Sequence, residues 1–198
     1  MDLPPYHTIE GLIELIDEPN RAACKGFLAT NLALMERTQG STNNHQAWPG
    51  GYKDHVQEIM NIARVLYRTY EALRPLPFSL SDALLVVFLH DVEKLWKYVE
   101  GDDGALHRVP SMQTKEGEHA FRAEKFREYG FVLSEEQRNG LKYAEGELRD
   151  YSNRERRMGP LAALCHCADV TSARLWFDHP LATAADPWEG ARRVRRAT

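Results

Sequence analysis

The chain has 198 residues, of which 43% are apolar and 27% charged, with a formal charge of −4. That size gives one ordinary domain with a real core. Mild acidity argues against a protein that coats duplex nucleic acid, but not against a small anionic substrate, because a local cationic pocket or a metal overrules net charge.

Helical periodicity runs through most of the chain. Thr8 to Asp17 places Ile9, Leu12, Ile13 and Ile16 at helical spacing. Pro19 suits the first turn of a second helix, which carries Phe27, Leu28, Leu32 and Leu34 and stops near Gly40. Gly40 to Gly51 is rich in Gly, Ser, Thr and Asn and reads as a loop. A long helix is predicted from about Tyr52 to Leu73, ended by Pro75 and Pro77.

Ser79 or Ser81 can cap the next helix, which runs through Leu84 to Leu89 into His90 and Asp91. Its all-round apolarity predicts a buried central helix. The pattern from Lys97 to Val109 breaks at Asp103 and Gly104, the turn of a small β-hairpin. Helices resume from Gly117 to Tyr129, after a Ser134/Gln137 capping box, and from Pro160 to Phe177. The expectation is a single-domain, all-α bundle over residues 1–177 with one hairpin near 97–109. A basic tail over 178–198, containing ArgArgValArgArg, is expected to be partly disordered.

Cys24, Cys165 and Cys167 are an odd number, two of them close in sequence, so they make no disulfide framework and suggest a reducing compartment. The start MDLPPYHTIEGL lacks a signal-peptide pattern. The longest apolar stretch, Ala83 to Leu89, is far short of the roughly 20 residues that span a bilayer. A cytoplasmic protein with no membrane partner is expected.

Chemistry concentrates on His55, His90, Asp91 and Asp169, all on strongly helical segments. A metal site in a helix bundle takes side chains projecting inward from several facing helices. Neighbours on a helix differ by about 100° in direction, so His90 and Asp91 can share an ion only at the seam between their faces. Two imidazoles and two carboxylates suit one divalent ion such as Mn, Fe, Co, Ni or Zn, with Mg an open choice. A buried carboxylate needs a partner, and an ion pair with Lys94 would meet that need as well as a metal. Cys165-His166-Cys167 resembles half a zinc knot with no second pair, and core packing is its expected role.

Three stretches resemble the motifs of HD-domain phosphohydrolases, in order. His45 to His55 (HQAWPGGYKDH) is similar to the first, where a Gly-Gly turn precedes a metal histidine. Phe88 to Tyr98 (FLHDVEKLWKY) looks like the defining His-Asp motif with its trailing lysine, and His166 to Ala173 (HCADVTSA) like the last motif. The resemblance spans about Asn44 to Trp176. It is strongest to the HD part of bacterial 3′–5′ exonucleases and to small viral HD nucleotide hydrolases. Glu93 stands where relatives often carry Gly, and Tyr143 to Gly146 stands where dinuclear members carry extra histidines, which favours one metal over two.

The resemblance implies roles. His55, His90, Asp91 and Asp169 would hold the metal, and Asp91, Lys94 and His119 would form the catalytic set. Lys94 would neutralise phosphate charge; the rival reading is a helix-surface lysine. His119 would be a general acid or phosphate donor, against an ordinary surface histidine. His45 could touch substrate or simply be solvated, and Trp48 could stack on a base or anchor its loop. The expected reaction is hydrolysis of a nucleotide, a (deoxy)nucleoside mono- or triphosphate. The alternatives are a single-strand 3′–5′ exonuclease and an inactive nucleotide-sensing module, and an oligomer is compatible with either.

Overall fold

The computed structural model describes residues 4–41, 44–104 and 106–178. These form seven α-helices, one two-stranded antiparallel sheet and three short 3₁₀ turns. The expected tail, apart from Asp178, lies outside the described residues.

Helix α1 (Ile9–Ile13) starts at Thr8, whose hydroxyl accepts from the Gly11 amide at 3.2 Å. It ends sooner than the periodicity predicts, yet Ile16 beyond it is still fully buried. Helix α2 (Asn20–Met35) follows Pro19 and buries Cys24, Phe27, Leu28 and Met35. Helix α3 (Gly51–Leu73) buries its N-terminal two-thirds and leaves the end in solvent.

Helix α4 (Leu80–Leu89) begins on a capping box between Ser79 and Asp82. Every residue from Ala83 to Leu89 is at most 1% exposed, as all-round apolarity predicts. Helix α6 (Glu135–Tyr143) starts on the Ser134/Gln137 box, and α7 (Pro160–Leu175) starts on Pro160. α4 lies against α3, α6 and α7, and α3 also packs on α7. These contacts enclose one apolar core.

Strands β1 (Tyr98–Glu100) and β2 (Leu106–Arg108) pair Tyr98 with Arg108 and Glu100 with Leu106. Helix α5 (Lys115–Glu128) lies beside this hairpin. Glu118 of α5, 1% exposed, fastens the two together: Lys97 reaches its carboxylate at 2.7 Å, Lys115 at 3.4 Å, and Arg108 donates to it as well. No helix among the described residues is long and apolar enough to cross a membrane.

Candidate metal centre

Three helices bring the site together. His55 is the fifth residue of α3, His90 caps the end of α4, and Asp169 lies within α7. One ligand atom from each of these three residues lies within 4.8 Å of the others. His55 Nε2 is 3.2 Å from Asp169 Oδ1, and His90 Nε2 is 3.7 Å from the same oxygen.

Asp91 joins the cluster because the backbone breaks there. α4 stops at Leu89, and Asp91 leaves helical geometry at φ −125°, ψ 18° before a 3₁₀ turn over Val92–Trp96. This solves the directional problem of adjacent residues on a regular helix. Asp91 Oδ2 then sits 3.1 Å from His90 Nε2 and 4.0 Å from His55 Nε2. Lys94, one 3₁₀ turn on, places its Nζ 2.5 Å from that oxygen. The ion pair foreseen as a rival to metal binding is therefore present, at the edge of the same cluster.

Whether the cluster suits a metal is decided by its imidazoles. Both Nε2 atoms are buried and have no hydrogen-bond partner, a costly state for an isolated polar atom. Their other nitrogens are committed. His90 Nδ1 lies 2.7 Å from the Val87 carbonyl and must donate to it. His55 Nδ1 lies 3.1 Å from Ser172 Oγ, whose own proton goes to Glu58 at 2.6 Å, so the serine oxygen accepts from His55. Both rings are thus fixed with Nε2 facing the carboxylates, which is how metal-bound histidines are oriented. The donor set could hold a metal ion.

Charges agree with that geometry. Burial keeps His55 below its ordinary pKa, with Asp169 working the other way. Burial also disfavours a charged His90, but Asp91 and Asp169 more than offset it and raise its pKa to about 10. The Asp169 carboxyl is held well below the usual range: burial opposes ionisation, and the adjacent His55 and His90 imidazoles outweigh it. Asp91 is depressed likewise, its desolvation outweighed by His90 and Lys94. Without a metal, one proton resides on His90, and an incoming cation would displace it.

The first-motif loop is built over the start of α3. Gly50 adopts φ +81°, and a Cβ on Gly51 would fall 1.9 Å from the Gln46 carbonyl oxygen. That contact is the physical reason for the Gly-Gly pair. Gln46 is 2% exposed and donates to both Glu58 and Ser172. His45 is half-buried, its ring centroid 5.0 Å from that of His55. Burial, His55 and Lys94 lower its pKa to about 4, leaving it neutral. Trp48 is 7% exposed and donates its indole N–H to Asp54 at 2.9 Å. That burial and the bond to Asp54 are what the loop-anchor reading of Trp48 expects.

His119 is exposed on α5 and does not join the ligand cluster. It lines a cleft of about 720 Å³ together with His90, Lys115 and Arg122. Burial, Arg122 and Lys115 lower its pKa. Arg122 also donates to the His90 carbonyl, satisfying an acceptor left over at the end of α4. Its guanidinium lies 3.8 Å from Glu93, which burial pushes up to about pKa 7 against the pull of Arg122. The residue that departs from the Gly of the resembled motif is thus one half of a buried ion pair with α5.

Sequence reasoning missed Glu58, Ser172, Gln46 and Arg122. Glu58 follows His55 by three residues and Ser172 follows Asp169 by three, so each sits on its ligand's helix face. That spacing was a usable signal. Cys165 is buried with its Sγ near the Ala83 carbonyl, in keeping with core packing, and Cys167 is exposed. Compared with protein-family models, with characterised proteins and with solved structures, the chain matches none.

Proposed function

We propose that the chain is an HD-type, metal-dependent phosphohydrolase of nucleotides, acting on a (deoxy)nucleoside mono- or triphosphate. The observation that carries the reading is the pair of buried, partnerless Nε2 atoms, pre-oriented toward Asp91 and Asp169 with Lys94 at the edge. The ordered resemblance of the three motifs supports the same assignment. His55, His90, Asp91 and Asp169 are the ligands of one divalent ion in this reading. A divalent ion so held would act as a Lewis acid on a phosphoryl oxygen and lower the pKa of a water.

The chain's own residues do the rest. Lys94, whose charge Asp91 sustains against burial, meets phosphate charge at the edge of the ligand cluster. His119 donates a hydrogen bond or a proton from the cleft it shares with His90. His45, neutral and beside His55, offers a hydrogen bond to substrate. The test is a substrate screen on purified protein loaded with Mn, Co, Ni, Fe, Zn or Mg, resolving phosphate, pyrophosphate and triphosphate. Turnover of free nucleotides with at least one metal is expected. Cleavage of single-stranded oligonucleotides alone, falling steeply with salt, would turn the reading to a nuclease. Binding of nucleotides with no turnover under any metal would make it a sensor.

A further inference from the structure

A second cleft, of about 670 Å³, lies between the end of α2 and the hairpin, and Lys94 is in its lining. Lys94 also pairs with Asp91, so it is the residue this cleft shares with the ligand cluster. The cleft's character differs from that of the cleft beside His119. Among its described lining residues there are three cations, Arg37, Lys94 and Lys97, and no carboxylate. The other cleft mixes Lys115, Arg122, Lys142 and Arg149 with Glu116, Glu145, Glu147 and Asp150.

The hairpin wall is apolar and in solvent. Tyr98, Val99 and Leu106 are 37%, 52% and 62% exposed, and all three line this cleft. Two-stranded hairpins gain little from leaving such groups in water, and a contiguous apolar wall beside polar groups marks a binding site. The cations are not equivalent. Lys97 is committed to Glu118, whereas Arg37 is exposed and forms no ion pair among the described residues. Among the described residues no carboxylate takes up its charge, which leaves it open to an anionic ligand.

We propose that this cleft holds the organic part of the substrate, a flat ring against the hairpin wall, with the reacting phosphate at the Lys94 end and Arg37 attracting the ligand's negative charge. The ligand class is a phosphoester bearing an aromatic ring. A cleft of this volume takes one such molecule. The inference rests on the phosphohydrolase reading for its orientation and is separable from it by experiment.

The probes are adenosine 5′-monophosphate, glycerol 2-phosphate, and the adenosine phosphonate in which a methylene replaces the 5′ ester oxygen. The metal-loaded wild-type protein should favour the adenosine ester over the glycerol ester by at least about 100-fold in kcat/KM, since only the former buries a ring. Leu106→Asp puts a carboxylate on the wall at a solvent-exposed position and should cut that ratio about tenfold, chiefly through KM. Arg37→Glu should weaken the phosphonate about tenfold in a calorimetric titration. Hydrolysis with a ratio near one, or a ratio that Leu106→Asp leaves unmoved, overturns the cleft assignment while the hydrolase reading stands. Should neither ester be hydrolysed, the monophosphate form of the hydrolase reading falls, and the phosphonate decides the cleft alone. Binding weakened by both variants then upholds it; absent or unaffected binding overturns it.

Discussion

The inner seat of the candidate metal centre and its outer rim are held by different physics. The seat is made by α3, α4 and α7, whose apolar faces pack into the core. Each histidine there is steered by a neutral group, a carbonyl for His90 and a hydroxyl for His55. The rim consists of the hairpin and α5, and charge holds it in place. Glu118 gathers Lys97, Arg108 and Lys115, and Arg122 reaches both Glu93 and the His90 carbonyl. A seat packed in hydrocarbon fixes donor positions closely, as a metal requires. A rim of long, partly solvated side chains adapts to what enters it. Damage to the seat should therefore abolish metal binding, and damage to the rim should spare the metal while changing what is done with it.

The largest effect belongs to the seat. Asp169→Ala removes the oxygen that faces both imidazole Nε2 atoms, and metal affinity should fall by more than about 100-fold, the upper range for losing even an outer partner. Elemental analysis should drop from near one equivalent per chain to less than about a tenth, and turnover should vanish with it. Substantial metal retained in both Asp91→Ala and Asp169→Ala proteins would remove those carboxylates from the ligand set.

His119→Ala is the matching cut in the rim. Turnover should fall by about 10²- to 10⁴-fold, the range for a lost general acid or base, while metal content stays at the wild-type level. Unchanged turnover would return His119 to the ordinary surface class; loss of the metal would make it a ligand and erase the distinction between seat and rim.

The same division explains what could be read from sequence. The ligand-bearing helices carry local signals: the apolar run into His90, the Ser79 and Ser134 caps, and Pro160 opening α7. Lengths of long periodic segments and the hairpin turn were equally legible. The break at Asp91 was not, because it depends on α4 ending at Leu89 instead of running on into His90 and Asp91. Glu118 was not legible either, since its partners lie on two other elements. The sequence left Trp48 between base stacking and loop anchoring, because an aromatic residue in a loop looks the same whether or not the loop folds over it.

Between seat and rim stands the support behind His55. Ser172→Ala removes the oxygen that accepts from His55 Nδ1 and the donor to Glu58. The ring is then free to take the other tautomer, and metal affinity should weaken by about 10- to 100-fold. A competition titration against a chromogenic chelator measures this directly, and an affinity equal to wild type would leave Ser172 with packing alone.

Proton release sharpens the assignment further. His90, raised to about pKa 10 in the metal-free protein, is protonated throughout the neutral range, and a metal must displace that proton. Affinity should then rise about tenfold per pH unit between about pH 7 and 8.5, with one proton released per ion. Calorimetry in buffers of different ionisation enthalpy reads the proton count. A value near zero would mean that His90 enters the metal shell already neutral.

The smallest effect is expected at Glu118, and it is the cleanest test of the rim. Glu118→Gln keeps the shape and removes the charge that three cations share. Stripping one partner from a fully buried pair costs about 3–5 kcal/mol. Here the side chains of Lys97, Arg108 and Lys115 are 17%, 31% and 53% exposed, so they can turn to water when the carboxylate goes. A loss of about 1–2 kcal/mol in unfolding free energy at neutral pH is expected after that discount for solvent. Burial pushes the Glu118 carboxyl up, but Lys97 and Lys115 outweigh it and hold it below its ordinary value of 4.5. Its contribution is therefore complete above that value and fades as the pH falls through the lower, folded-state one. The stability gap between wild type and Glu118→Gln should close in acid, while metal content at neutral pH remains at one equivalent. A variant that loses its metal along with its stability would show that the hairpin and α5 help to build the seat, and the two regions would have to be treated as one.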